Sequence, residues 1–345
     1  MTWEVCWHEG FDSQAIERAI VGCCSRFTTV FQHPAMIQAW LKTKGSAMLL
    51  TPALAELRRG NEIVLVPLAV RKSLGLRRAA MVGDPHFDYQ VPMATVALDW
   101  QEFWSSMWRP MAQCGRLAGL TVRRLPQRFA GTHGSTDPDS HTTVLDIGGY
   151  QDLDQYLAER GSNLRSDVRR RIRRAGEMGG TALRVFRETD VDAARAAFEA
   201  MRAAYEDLHH NEASGRLFEQ PGTLAFYLEL ITRVLPLGLL HFSVLSIGGR
   251  DAAWHFGFMH DGILHWYKPT YARWAAHLSP GKLLLAELVR MGTAEQWKCI
   301  DFGGGREAYK EQWGHRMEAL VSLRFYGDSV GGHLLKHWRR RGLPQ

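Results

Sequence analysis

The chain has 345 residues, is 46% hydrophobic and 23% charged, and carries a formal net charge of +6 with a pI near 9.1. That length suits roughly two globular domains. No stretch reaches the roughly 20 apolar residues of a bilayer-spanning helix, and the start, MTWEVCWHEGFDSQ, lacks a basic then apolar leader. Five cysteines (Cys6, Cys23, Cys24, Cys114, Cys299) form no CxxC pair. The expectation is reduced thiols in a cytoplasmic protein without a metal site.

In chain order, 31–42 reads as a helix with Pro34 in its first turn. Segments 47–54 and 61–70 read as strands around an Arg-Arg-Gly-Asn turn. Residues 81–93 are a Gly, Pro and Asp loop, 99–114 a helix N-capped by Asp99, and 119–126 a strand. Segment 130–143, AGTHGSTDPDSHTT, reads as an exposed loop because it is small, polar and aperiodic. Helices follow at 151–160 and 162–178, the second ending at Gly179-Gly180. Its core, Arg165 to Arg174, holds six arginines and one aspartate. That reads either as a solvated face or as an anion site.

The second half runs strand 181–188, helices 191–208 and 223–235, and strands 240–249, 251–259 and 263–270. A helix at 279–296, a strand at 299–304, a short helix at 307–313 and a strand at 318–327 complete it, before a basic helical tail. This order predicts an α/β (α+β) fold with mixed, mostly antiparallel sheets flanked by helices, not a doubly wound sheet. The expected division is 1–150 as one domain, 151–180 as a basic helical linker, 181–330 as a second domain and 331–345 as a tail.

The most informative stretch is 251–314. Its Ser279-Pro280-Gly281 turn opens a helix whose free N–H groups and positive end suit an anion. Strand alternation puts His265 and Tyr267 on one face, apart from Trp266 and Lys268, and puts His255 with Ala253 and Gly257. His255 and His265 are candidate bases, or hydrogen-bonded core residues. Asp301, at a strand end before Gly303-Gly304-Gly305, either faces a cleft or caps the following helix. The glycines lack a following GK[ST] and form no P-loop. No G-x-S-x-G or Cys/His nucleophile arrangement is present, which points away from a covalent enzyme intermediate.

The strand and helix order of 181–327 is similar to the GNAT acyltransferase fold. The whole chain resembles the CelD/BcsL-type acetyltransferases, a Fem-like branch built from two GNAT-like halves. The resemblance rests on FQHPAMIQAW, VPLAV, the Gly83…Asp88-Tyr89 loop, RSDVRRRIRRA, HWYKPTYARWAAHLSPGKLLL and DFGGGREAYKEQW, in that order. It implies that 1–150 is a degenerate GNAT-like domain and 181–330 the acyltransferase domain. It implies transfer of an acyl group from acyl-CoA, acetyl-CoA foremost, to an amine or hydroxyl of a small-molecule or sugar-linked acceptor in biosynthesis. The donor pyrophosphate then falls on His277, Ser279, Gly281 and Lys282. The family's Arg/Gln-x-x-Gly-x-Gly/Ala loop is reduced here to Gly281, and Pro280 removes an N–H. An aminoacyl-tRNA donor of Fem type, with nucleic acid on the arginine-rich helix, therefore stays open, as does a binding protein without turnover. Tyr309 and Lys310 match the family's Tyr-Lys pair. Asp88, Tyr89 and Arg306 are candidate acceptor contacts.

Overall fold

The computed structural model describes residues 2–10, 28–132, 135–210, 213–328 and 330–340. Cys23 and Cys24 lie outside them. Cys6 and Cys114 are exposed free thiols and Cys299 is buried. Among the described residues no helix is long and apolar enough to cross a membrane. The chain divides into two compact units, Met1–Ser140 with Glu318–Gln345, and His141–Met317.

The first unit has strands β1 (Glu4–Glu9), β2 (Thr51–Arg59), β3 (Glu62–Ser73), β4 (Leu76–Met81), β5 (Met93–Ala94) and β6 (Gly119–Pro126). Helices α1 (Pro34–Trp40) and α2 (Trp100–Gly115) accompany them. The strands run β1-β2-β3-β4-β6, with β13 (Arg316–Tyr326) beyond β6 and β5 on β3. Every pair is antiparallel except β4 with β6, which α2 joins as a crossover. Asp99 caps α2 as expected, its carboxylate accepting from the N–H groups of Gln101 at 3.0 Å and Glu102 at 3.1 Å. Phe103, Trp104, Met107 and Met111 form the buried stripe of α2.

Two local expectations fail for identifiable reasons. Ala47 to Leu50 are not strand, because α1 continues through a π-helical turn, Leu41–Gly45, and β2 starts only at Thr51. The polar segment read as a loop at 130–143 contributes strand β7 (Ser135–Asp146), whose later residues pair with β12 (Cys299–Gly304). Sheet pairing here overrides composition.

The second unit has α3 (Leu153–Arg160), α4 (Ser162–Glu177), β8 (Thr181–Val185), α5 (Val191–His209) and α6 (Thr223–Arg233). Then come β9 (Leu240–Ile247), β10 (Arg250–His260), β11 (Ile263–Tyr271), α7 (Pro280–Ala294), β12 and α8 (Ala308–Trp313). Its strands run β7-β12-β11-β10-β9-β8. β11 and β12 are the parallel pair, and α7 is their crossover. Leu283, Leu284, Leu285, Leu288 and Val289 of α7 pack into a core with Leu264, Trp266, Ile300 and Phe302. The arginine-rich α4 is not a free-standing linker. It buries Leu164, Val168 and Ala175 in that same core and turns Arg169, Arg170, Arg173 and Arg174 outward.

Candidate active site

Two features of β11 shape the site. Its parallel pairing with β12 spans only Ile263 to His265, opposite Cys299 to Asp301, after which no ladder pair joins the two strands. Just beyond, Trp266 and Tyr267 together oppose the single residue Gly257 of β10, a β-bulge. Gly257 is required there, since a Cβ would stand 2.3 Å from the His265 carbonyl oxygen and 2.2 Å from the His255 ring.

The bulge breaks the alternation at Lys268, which pairs with Phe256, while His265 and Tyr267 stay on the face opposite to Trp266. Trp266 stacks on His255, centroids 4.4 Å apart, and donates its Nε1–H to the Tyr309 hydroxyl at 3.1 Å. Tyr267 instead meets Phe258 at 5.2 Å and Tyr227 of α6 at 6.5 Å. Beside the separated part of β11 lies a cavity of about 340 Å³, lined among others by His209, Trp266, Tyr271, Ser279, Gly281, Lys282, Leu285 and Tyr309. Neither His265 nor Tyr267 lines it.

The cavity reaches the start of α7. Ser279 is left-handed there (φ 52°, ψ 59°), and no side chain caps the helix. The Ser279 hydroxyl accepts from Arg171 of α4 instead. Pro280 offers no N–H, and a Cβ on Gly281 would meet nothing within 4 Å. Asp167 gathers cations at this end, bonding Lys282 at 2.8 Å, Arg171 at 3.0 Å and Arg170 at 2.6 Å. Partial burial opposes its ionisation, but the hydrogen bonds from Lys282 and Arg171 bring the Asp167 carboxyl down to about 2. Three cations to one carboxylate leave this end positive. The start of α2 in the first unit is the opposite, closed by the Asp99 carboxylate and by Glu102, which pairs with Arg59.

The remaining candidates scatter. Asp301 accepts from Thr142 at 2.7 Å and from the Gly303 N–H at 2.9 Å, with His265 Nδ1 at 3.8 Å. Burial lowers the His265 pKa, and Asp301 partly restores it. His255 is fully buried behind Trp266, and burial pushes its pKa well below the ordinary value. Lys310 is buried, its ammonium bonding the Gly304 carbonyl at 3.0 Å and Glu307 at 2.9 Å, so it clamps the glycine loop. Burial raises the Tyr309 hydroxyl to about 12, against the smaller opposing effect of Trp266. His277 and Arg306 are exposed and do not line the cavity. In the first unit Asp88 pairs with Arg124 at 2.8 Å, and the buried Tyr89 ring lies 6.1 Å from Phe31. Sequence reasoning did not single out Trp266, His209 or the particular role of Arg171. Only a predicted bulge or a predicted α4–α7 contact would have shown them.

A sheet with one short parallel pair, a crossover helix with an open N-terminus and a cavity beside it fits the GNAT type of α/β fold. Residues 162–311 match the family described as Acetyltransferase (GNAT) domain, and the second unit carries that GNAT-type fold. No curated protein matches the sequence significantly. Among solved structures it is similar to FemX, at 9% identity over 97% of this chain and 99% of that one, with a TM-score of 0.62. It is also similar to the C-terminal domain of a protein provisionally assigned as a lysylphosphatidylglycerol synthetase from Agrobacterium fabrum. There the identity is 12% over 94% and 95% of the chains, with a TM-score of 0.58. A conserved protein of unknown function from Bacteroides thetaiotaomicron matches at 10% identity over 84% and 88%, with a TM-score of 0.51.

Proposed function

We propose that the protein is an acyltransferase whose second unit binds an acyl-CoA and passes its acyl group directly to an amine or hydroxyl. The observation that carries this is the uncapped, cation-ringed start of α7 opening into a cavity. Helix N–H groups and cations suit the donor's phosphates, and the largely apolar walls suit its pantetheine arm. Lys282 and Arg171 supply the charge that the glycine-poor loop lacks.

In the proposed reaction a neutral acceptor attacks the thioester carbonyl, and the tetrahedral adduct collapses with loss of the C–S bond. Tyr309 faces the cavity and keeps its proton at neutral pH. Trp266 donates to its oxygen, so the phenol proton is available to the departing thiolate. His265, with Nδ1 3.8 Å from Asp301, stays a candidate base at the point where β11 and β12 part, although it does not line the cavity. His255 supports the Trp266 ring. Arg306 stays a candidate for holding the small-molecule or sugar-linked acceptor.

A second reading takes aminoacyl-tRNA as donor. The exposed Arg169, Arg170, Arg173 and Arg174 of α4 favour it, although Asp154, Asp167 and Glu177 counter three of them. Calorimetric titration with acetyl-CoA, with thiol release followed over a panel of amines and alcohols, separates the two. Saturable binding that Lys282→Ala and Arg171→Ala each weaken about tenfold or more supports the first. No thioester binding, with tRNA binding that falls steeply with salt, supports the second.

A further inference from the structure

The donor cavity has a mouth and a blind end. Tyr271 and Ala276 on its wall are exposed, whereas Trp266 and Leu285 are buried. The positive start of α7 lies along one side, and Leu285 is one helical turn further in. At the blind end the Trp266 indole and the Tyr309 phenol are joined by the 3.1 Å hydrogen bond. Each is backed by a second ring. His255 is stacked behind Trp266 at 4.4 Å, and Phe302 stands edge-on to Tyr309 at 6.0 Å and to Trp266 at 6.5 Å. Behind His255 lie His241 at 5.9 Å and then Trp297, 5.5 Å from His241. All of these rings are buried except that of Tyr309, which is half-buried.

Resting on the acyl-CoA reading of this cavity, we infer that the Trp266–Tyr309 pair is a wall that limits the donor to short acyl chains. A chain entering with its phosphates at Ser279 to Lys282 runs inward toward Trp266. The wall does not yield at its edge, because the hydrogen bond ties the two rings and the bulge opposite Gly257 fixes where the indole points. The stacked His255 blocks retreat of the indole, since protein interiors are close-packed and offer no spare volume. Each methylene beyond the room available is then discriminated against roughly tenfold or more. Trp266 is a specificity-determining residue, and shortening it opens the cavity toward His255 and His241.

The test measures dissociation constants of acetyl-, butyryl- and octanoyl-CoA, with CoA itself as reference, for the wild type, Trp266→Ala and Trp266→Leu. Thermal melting first confirms that each variant folds. The wild type is expected to bind acetyl-CoA at least tenfold more tightly than octanoyl-CoA. Trp266→Ala should narrow or reverse that ratio by tenfold or more, each constant being taken relative to the same variant's affinity for CoA. Equal affinity of the wild type for all three acyl lengths would overturn the wall, even if neither variant folds. So would an unchanged chain-length profile in a folded variant. Failure of the wild type to bind CoA or any of its thioesters would instead overturn the donor reading itself, and the wall with it.

Discussion

Tyr309 is the residue on which the proposed chemistry turns. Its hydroxyl accepts from Trp266 and stays protonated far above neutrality. Tyr309→Phe should lower kcat by about a hundredfold or more while acetyl-CoA affinity, read by calorimetry, hardly changes. An undiminished kcat would remove Tyr309 as the acid. A second residue-scale consequence comes from His241. Burial holds its pKa down at about 4, with Arg187 adding to the effect. The unfolded chain takes up that proton near pH 6.5 and the native state does not, so stability is complete above pH 6.5 and falls as pH drops toward 4. Between pH 6.5 and 5 this one group removes about 2 kcal/mol. Urea unfolding at the two pH values should show His241→Leu losing about 2 kcal/mol less than the wild type. An equal loss in both would show that His241 does not titrate as its burial dictates.

At the scale of elements, the β11 bulge and the α7 start do most to place the site. Gly257→Ala forces a Cβ against the His265 carbonyl. It should destabilise the protein by about 1–3 kcal/mol, visible as a lower Tm, and weaken donor binding by disturbing Trp266. A variant with wild-type Tm would mean that the bulge is more pliable than the contact implies. The elements also show what the sequence could and could not disclose. Helices α2 and α7 were legible because each joins a turn residue to an apolar stripe of helical period. Strand β4 was not, because Leu74 and Gly75 form a two-residue turn with both φ positive, and an exposed leucine is a poor turn signal. The facing of Lys268 was misread because counting by twos assumes an unbroken ladder, and one extra residue at Trp266–Tyr267 breaks it, so that Lys268 pairs with Phe256. Ser279, Gly281, Lys282 and Tyr309 were found at the cavity because they are local to one turn or one short helix. Arg171 required knowledge of how α4 meets α7, which no local pattern carries.

Across the whole molecule, each unit contains one parallel strand pair joined by a helix, yet the two helix starts differ in chemistry. That of α2 is filled by Asp99, and Asp99→Ala should cost about 1 kcal/mol as any lost N-cap does. That of α7 is left open and made positive. On the proposed reading the donor sits in the second unit alone, and the repeat of the fold grammar does not imply a repeat of function. The net charge of +6 is concentrated in part on α4, whose Arg171 reaches the start of α7 while its outer arginines meet solvent. The most direct test is an experimental structure determined with acetyl-CoA. The account predicts phosphates at Ser279 to Lys282 in contact with Arg171, and the acetyl group against Trp266 and Tyr309. Acetyl-CoA bound at the start of α2, or anywhere that leaves the α7 cavity empty, would contradict it.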